Sequence, residues 1–438
     1  MNNELNKKLL FRIGNLSIFM IGLGFAVRAN IAPDLQADIY DKIDIMSSAS
    51  MVGEALGATF TGFALTLLFG SMLVDWMGMK RMLLLSAFGY IASTAGLLAA
   101  AMMPVTDMSV VIVWCSLLLT GLGWGAVEAA SNPMIAALFP EEKAHRLNVL
   151  HSWWPAGIVV GGLAGVLFSA IGLPWQLNLL LLFLPALLMV KWSLGIEFPV
   201  TERVANGVSY KDMVLELVRR PLFWVFWACM FLTAASELAP GQWVNVALSN
   251  IVGMKGILLL VYVSGLMFVL RNFAGVVFKH ISSVGLMAVS CVFAAAGLYA
   301  LSIADSPLPA FLAATIWGIG VCYMWPTMQG IITERFPNGG ALALGLLGFA
   351  GGLSIQFVLP QMGAIFDAAR AEAAGGADKL ASLSPEMMQE VTRIASVESF
   401  QAISVVPLVI LPIFAIIWVF DRLKKSKAES APAVKDNA

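Results

Sequence analysis

Apolar runs of about 18 residues or more recur along nearly the whole chain, each long enough to cross a hydrocarbon core of about 30 Å as a helix. Roughly twelve are counted with an averaging window. The first runs from about Phe11 to Pro33, the second from Met46 to Val74, the third from Met82 to Met103 and the fourth from Val110 to Leu138. The fifth begins near Leu147 and the sixth closes at Lys191. From Gly195 to Pro221 the pattern turns polar, and SYKDMVLELVRR places Met213, Val214, Leu217 and Val218 on one side of an amphipathic helix. Apolar runs resume at Leu222, with a seventh span to about Val246 and an eighth carrying Arg271 and Asn272. Between the last two spans, Asp367 to Glu398 reads as a polar loop rich in Ala, Gly and Glu, with SPEMMQEVTRIA as a short helix. Residues 422–438 read as a disordered tail.

The pattern also repeats. Gly121 to Gly157 lies over Gly318 to Ser354 without a gap, pairing Gly123 with Gly320, Ile135 with Ile332, Phe139 with Phe336 and Pro140 with Pro337. RANIAP, Arg28 to Pro33, lies in the same way over ASELAP, Ala235 to Pro240, so Glu237 takes the place of Asn30. A register this long, half a chain apart, marks a tandem duplication. The expectation is an all-α membrane protein of twelve transmembrane helices in two pseudo-symmetric six-helix bundles. Residues 1–194 form the first bundle, 195–221 the linker, and 222–421 the second, with 367–398 an outer loop and 422–438 a tail. The frame is kept but the repeat breaks at the acid deep in the apolar run: Glu128 faces Trp325.

Composition narrows the function. With 59% hydrophobic and 12% charged residues, the chain is far from a soluble globule, whose charged fraction is about 25%. A net charge of −1 and no long basic run leave nothing for nucleic acid to hold. Cys115, Cys229, Cys291 and Cys322 lie in apolar runs without paired spacing and read as small buried hydrophobes. No metal-ligand spacing, Ser-His-Asp set or phosphate loop appears, so no enzyme, metal or cofactor is expected. The basic start before an apolar run imitates a signal peptide, yet the repeat needs that helix retained. With the N-terminus inside, about 19 Lys and Arg fall on the cytoplasmic side and about 5 outside, so both termini are expected in the cytoplasm.

A charge at the bilayer centre costs about 2.5 to 3.5 kcal/mol, so Arg28, Glu128, Glu237 and Arg271 must face the protein interior or a cavity. Glu128 lies about ten residues, or roughly 15 Å, from the inner end of its helix, which is the midplane. A carboxylate there can take and release a proton, with merely holding helices together as the lesser alternative. Arg28 can pair with Glu128 or reach for an anionic or hydroxyl-rich substrate. Glu237 precedes Pro240, Gly241, Gln242 and Trp243, where a proline-broken helix could line a cavity. His151 suits a cytoplasmic-side hydrogen bond or a substrate contact. Arg271, about two turns from the inner end of its span, reads as part of a cytoplasmic gate. Trp153, Trp154, Trp243, Tyr323 and Trp325 fall near the same segments, either as flat surfaces for sugar faces or as packing and interfacial anchors.

DWMGMKR after the second span carries Asp75, Gly78, Lys80 and Arg81, and resembles the signature turn of the major facilitator superfamily. The initial glycine of that turn is Ser71 here, with Gly70 beside it. The resemblance implies the major facilitator fold and a gating role for this turn, which latches the two halves. More narrowly, VEAASNP followed by FPEEKAHRLNVLHSWWPAG is similar to the fucose, galactose and glucose proton symporter family. That similarity implies Glu128 as a substrate and proton site, with Asn132, Asn148 and His151 nearby. The acid those symporters carry in helix one falls at Ala29, beside Arg28. In place of a pair of acids, Arg28 with Glu128 is then one alternative, a pair that substrate or proton would break, and the sequence leaves open whether the two touch.

These readings converge on a secondary active transporter of the inner membrane, a monomer in the lipid bilayer, importing a monosaccharide or related polyol with a proton. Glu128, Arg28 and Glu237 are the expected proton-coupling residues. Glu128, Arg28, Asn30, Asn132, Asn148, His151, Trp154, Gln242, Trp243, Tyr323 and Trp325 are the expected substrate contacts. Asp75, Gly78, Lys80, Arg81 and Arg271 are the expected gating residues. An organic-anion or sugar-acid carrier is the alternative if Arg28 faces the cavity unpaired. A membrane receptor or scaffold is the alternative of another class, against which the cost of retained intramembrane charges argues.

Overall fold

A computed structural model describes residues 6–139, 143–201, 204, 207, 209–252, 254–273, 276–277, 280–336 and 339–430. Among these, eleven helices are long and apolar enough to cross a membrane, and a twelfth, Ile257–Arg271, is apolar but shorter. The first bundle holds α1 (Lys7–Leu35), α2 (Ser48–Met77), α3 (Met79–Met102), α4 (Asp107–Leu138) and α5 (Lys143–Ala170). Its sixth helix, α6, comes in two pieces, Gln176–Leu180 and Phe183–Ser193. The linker helix, Tyr210–Val218, turns Leu217 inward and Val214 and Val218 to the surface. The second bundle holds α7 (Pro221–Val252), α8 (Ile257–Asn272) and α9 (Ser283–Ser302). α10 is split into Pro307–Val321 and Met324–Arg335, α11 is Gly340–Ala373, and α12 is split into Pro385–Ser404 and Val406–Ser430.

The duplication seen in the sequence appears in the backbone. α4 ends on Phe139 at φ −132°, ψ 62°, and α10 ends on Phe336 at φ −131°, ψ 61°. Each helix also begins from an extended residue, Thr106 or Ser306. Within the first bundle α1 packs on α5 and α4 on both α2 and α3; between bundles α2 packs on α11, α5 on α8 and α1 on α7. Lipid offers helices no hydrophobic reason to associate, so close approach of small residues has to supply it. A Cβ on Gly22 of α1 would fall 2.0 Å from the Trp154 carbonyl oxygen, and one on Gly157 of α5 2.2 Å from that of Phe19. Glycine at both positions lets the two backbones touch.

Two stretches differ from the sequence reading. Asp367 to Glu398 is helical over most of its length: Asp367 and Arg370 lie inside α11, and SPEMMQEVTRIA opens the first piece of α12. That piece buries Val391, Ala395, Ser399 and Phe400 on one face, so its polar residues belong to the outer side of an amphipathic helix. Residues 422–430, read as tail, continue α12, and 431–438 lie outside the described residues. Cys115 is exposed on α4, whereas Cys229, Cys291 and Cys322 are buried. The inner end below means the end of the bundles that carries both chain termini.

Candidate functional site

Glu128 and Asn132 stand four residues apart on α4 and so share a face. Asn132 Nδ2 donates to Glu128 Oε2 at 2.9 Å, and Asn132 Oδ1 lies 2.9 Å from His151 Nε2 on α5. An amide oxygen only accepts, so this contact requires the ring to carry a proton on Nε2. All three side chains are half-buried. Asn148 lies one turn before His151, its side chain outside the described residues.

The facing cluster depends on prolines. Pro326 has no N–H, so the Cys322 carbonyl one turn earlier loses its helical donor and α10 breaks at Cys322 and Tyr323. Arg271 Nε of α8 donates to that carbonyl at 3.0 Å. Its Nη2 reaches Glu237 Oε1 of α7 at 3.5 Å. Tyr323 Oη donates to the Leu270 carbonyl at 2.7 Å. Pro240 does the same service in α7, where the Ser236 carbonyl it frees accepts from Trp317 Nε1 at 3.2 Å. Arg271 on α8 lies within electrostatic reach of His151 on α5, and these two helices pack against each other across the bundles. A cavity of about 560 Å³ lies at the inner end of the second bundle, with Arg271, Tyr323 and Thr327 deep in its lining and Glu334, Arg335 and Asp421 toward the inner end.

Above these clusters sits an aromatic layer. Phe25 meets Trp154 edge-on at 5.4 Å and Trp124 at 6.4 Å, Phe63 meets Trp124 at 4.5 Å, and Phe63 approaches Trp325 of the other bundle at 6.3 Å. Trp154 and Trp325 remain half-buried, so parts of their rings are accessible. Arg28 is buried behind this layer, its guanidinium 5.7 Å from the Trp124 ring centre, and among the described residues its three side-chain nitrogens make no hydrogen bond of standard geometry. Tyr90 of α3 stands beside it, close enough to act electrostatically on both Arg28 and Glu128. Arg28 and Glu128, whose pairing the sequence left open, do not form an ion pair.

Several expected residues point elsewhere. Asn30 turns into the first bundle, 3.5 Å from Asn178 Oδ1 and against Gly165. Gln242 is fully buried and donates to the Phe25 carbonyl at 3.0 Å, a tie between bundles. Trp243 is fully buried against Phe366, and Trp153 is exposed at the edge of Phe19. Arg271 pairs with Glu237 instead of reaching the opposite bundle at the inner end. Gly78 joins α2 to α3 at φ +82°, a conformation that favours glycine. Around it, Asp75 accepts from Thr201, Lys80 Nζ donates to the Ile196 carbonyl at 3.1 Å, and Arg81 is exposed. These contacts of the turn therefore go to the chain just beyond the first bundle. Tyr90, Trp124 and Trp317 were not singled out from the sequence, where a buried aromatic carries no sign of which partner it faces.

The model of the Major Facilitator Superfamily matches residues 15–358, and the chain belongs to that family. No curated protein matches the chain in sequence. Among solved structures it is similar to the xylose transporter XylE from E. coli in a partially occluded inward-open conformation, with 13% identity, 93% of this chain and 97% of that chain covered, and a TM-score of 0.72. It is also similar to the nucleoside transporter NupG, with 12% identity, 96% and 98% covered, and a TM-score of 0.64. A bacterial homolog of the human lysosomal transporter Spinster, inward-facing and unoccupied, matches at 16% identity, 95% and 98% covered, and a TM-score of 0.65. At these identities the likeness is one of fold.

Proposed function

We propose that this transporter imports a monosaccharide or related polyol together with a proton, by rocking of its two bundles about a site at mid-depth. The observation that carries the reading is the Glu128–Asn132–His151 chain, a half-buried carboxylate about ten residues from the inner end of α4 joined by 2.9 Å contacts to an ionisable ring. A proton on Glu128 removes its charge and releases the Asn132 amide to a substrate hydroxyl; loss of that proton draws the amide back. The accessible parts of Trp154 and Trp325 supply surfaces on which sugar C–H faces stack. Glu237 is the second proton candidate, held by Arg271 until the pair is broken. The XylE likeness is compatible with this reading. The bias of basic residues puts both termini in the cytoplasm of a cell with an inner membrane.

The guanidinium of Arg28, buried against Trp124 and Tyr90 without a paired carboxylate among the described residues, favours a second reading, a carrier of sugar acids in which a substrate carboxylate reaches Arg28 once the aromatic layer moves. Uptake of labelled neutral sugars and sugar acids into proteoliposomes, with and without an inward proton gradient, separates the two. Gradient-driven accumulation of a neutral sugar, lost in Glu128→Gln while exchange across the membrane persists, supports the first. Accumulation of acids alone, lost in Arg28→Met, supports the second and removes the first.

A further inference from the structure

At the outer end, opposite the termini, the two bundles are joined by a device that neither cluster uses. α2 begins at Ser48, and its own N-cap residue, Ser47, makes no capping bond to it. The first amides of a helix need acceptors, and an anion there also meets the positive end of the helix dipole. The acceptor comes from the other bundle. Asp367 Oδ2 of α11 takes the Ser50 amide at 2.9 Å. Arg370, one turn on, donates to the Ile45 carbonyl just before α2, lies 3.5 Å from Ser48 Oγ and pairs with Asp367 at 3.3 Å. Gln36, in a π-helical turn that ends α1, donates to the same Ser48 hydroxyl at 3.1 Å. Asp367 and Arg370 are both buried. The backbones touch at this point, since a Cβ on Gly363 would fall 2.5 Å from the Ala49 carbonyl oxygen.

We propose that Asp367 and Arg370 form the outer gate, α11 capping the N-terminus of α2 in trans so that the cap exists only while the outside is closed. Rocking the outer ends apart returns the carboxylate, the guanidinium and the amides of α2 to water together. Nothing is then left buried without a partner, so the gate can hold firmly when shut and open without stranding a charge. The gate belongs to alternating access itself and needs no particular substrate.

The test is a distance across the outer face. Spin labels at Asp107→Cys and Asp305→Cys, exposed on opposite bundles, are introduced with Cys115→Ser, and double electron–electron resonance is recorded in lipid nanodiscs without substrate. In the otherwise unaltered chain the short distance predominates. Asp367→Ala and Arg370→Ala are each expected to move the short-to-long ratio about tenfold toward long. Ser50→Pro removes one donor in the first helical turn, where proline is tolerated, and is expected to move it the same way without touching the acid. Asp378→Ala, an exposed carboxylate just beyond α11, leaves the ratio unchanged. An unaltered ratio in Asp367→Ala and Ser50→Pro overturns the proposal, as does an equal shift in Asp378→Ala. Because no substrate is present, failure of the sugar reading leaves this result untouched.

Discussion

Asn132 serves two partners with one amide, and that sets what its loss should cost. Its Nδ2 holds Glu128 and its Oδ1 faces His151, so Asn132→Ala leaves a carboxylate and a ring without the group that joins them. Hydrogen bonds to charged groups contribute about 1.5 to 3 kcal/mol, or roughly tenfold to a hundredfold. Initial uptake rates for Asn132→Ala should fall within that range. Asn132→Asp, which keeps an acceptor toward His151 but sets a second acid beside Glu128, should shift the pH dependence of uptake, whereas Ala should lower it across the profile. The depth of Glu128 could be read from the sequence by counting along its helix. The absent Arg28 pairing could not, because it depends on rotation: Arg28 turns behind Trp124 toward Tyr90, and hydropathy is the same on either side of a buried helix. Gln242 and Trp243 show the same limit, since a polar or aromatic residue beside Pro240 suits a cavity and a seam between bundles equally well.

α4 and α10 descend from one element and now differ in continuity. α4 runs unbroken past Glu128 with its proline at Pro133, while α10 breaks ahead of Pro326, and the carbonyl so freed holds Arg271. Pro326→Ala restores an N–H that can close the helix onto Cys322 and compete with Arg271 for the carbonyl. A proline inside a helix costs about 3 kcal/mol, so this variant should unfold at an equal or higher temperature in a detergent melt. Its uptake rate should nonetheless fall, because Arg271 then keeps only its 3.5 Å contact with Glu237. A variant that is both more stable and fully active would show that the break serves packing alone. The repeat made the kinship of these helices plain from the sequence, including their matching ends at Phe139 and Phe336. The α11–α12 hairpin was harder to read. Its outer half averages as polar, yet Ala-rich DAARAEAA is a strong helix former, and Asp367 with Arg370 one turn apart lowers the charge that suggested a loop.

The two bundles touch where α2 meets α11, α5 meets α8 and α1 meets α7, and alternating access requires that these seams open and close at their ends. On the α2–α11 seam, a Cβ on Gly57 would lie 3.3 Å from Gln356 Cα, a separation compatible with the Cβ–Cβ distance of about 3.8 Å in a disulfide. Gly57→Cys with Gln356→Cys should therefore cross-link on mild oxidation, with Cys229, Cys291 and Cys322 buried away from the reagent and Cys115 replaced by Ser. The bond would fix the outer half of the seam while leaving the inner end free. Uptake should fall to the level of empty liposomes and return on reduction, whereas substrate binding measured from the inner side should persist. Those two results together locate the block in the motion and not in the site, because Glu128, His151, Arg271 and Glu237 all lie off this seam. Undiminished uptake by a fully cross-linked protein would mean that the bundles exchange access without parting here. The outer gate at Asp367 and Arg370, about three to four turns beyond Gln356 on α11, would then have to open by local bending of α2 and α11.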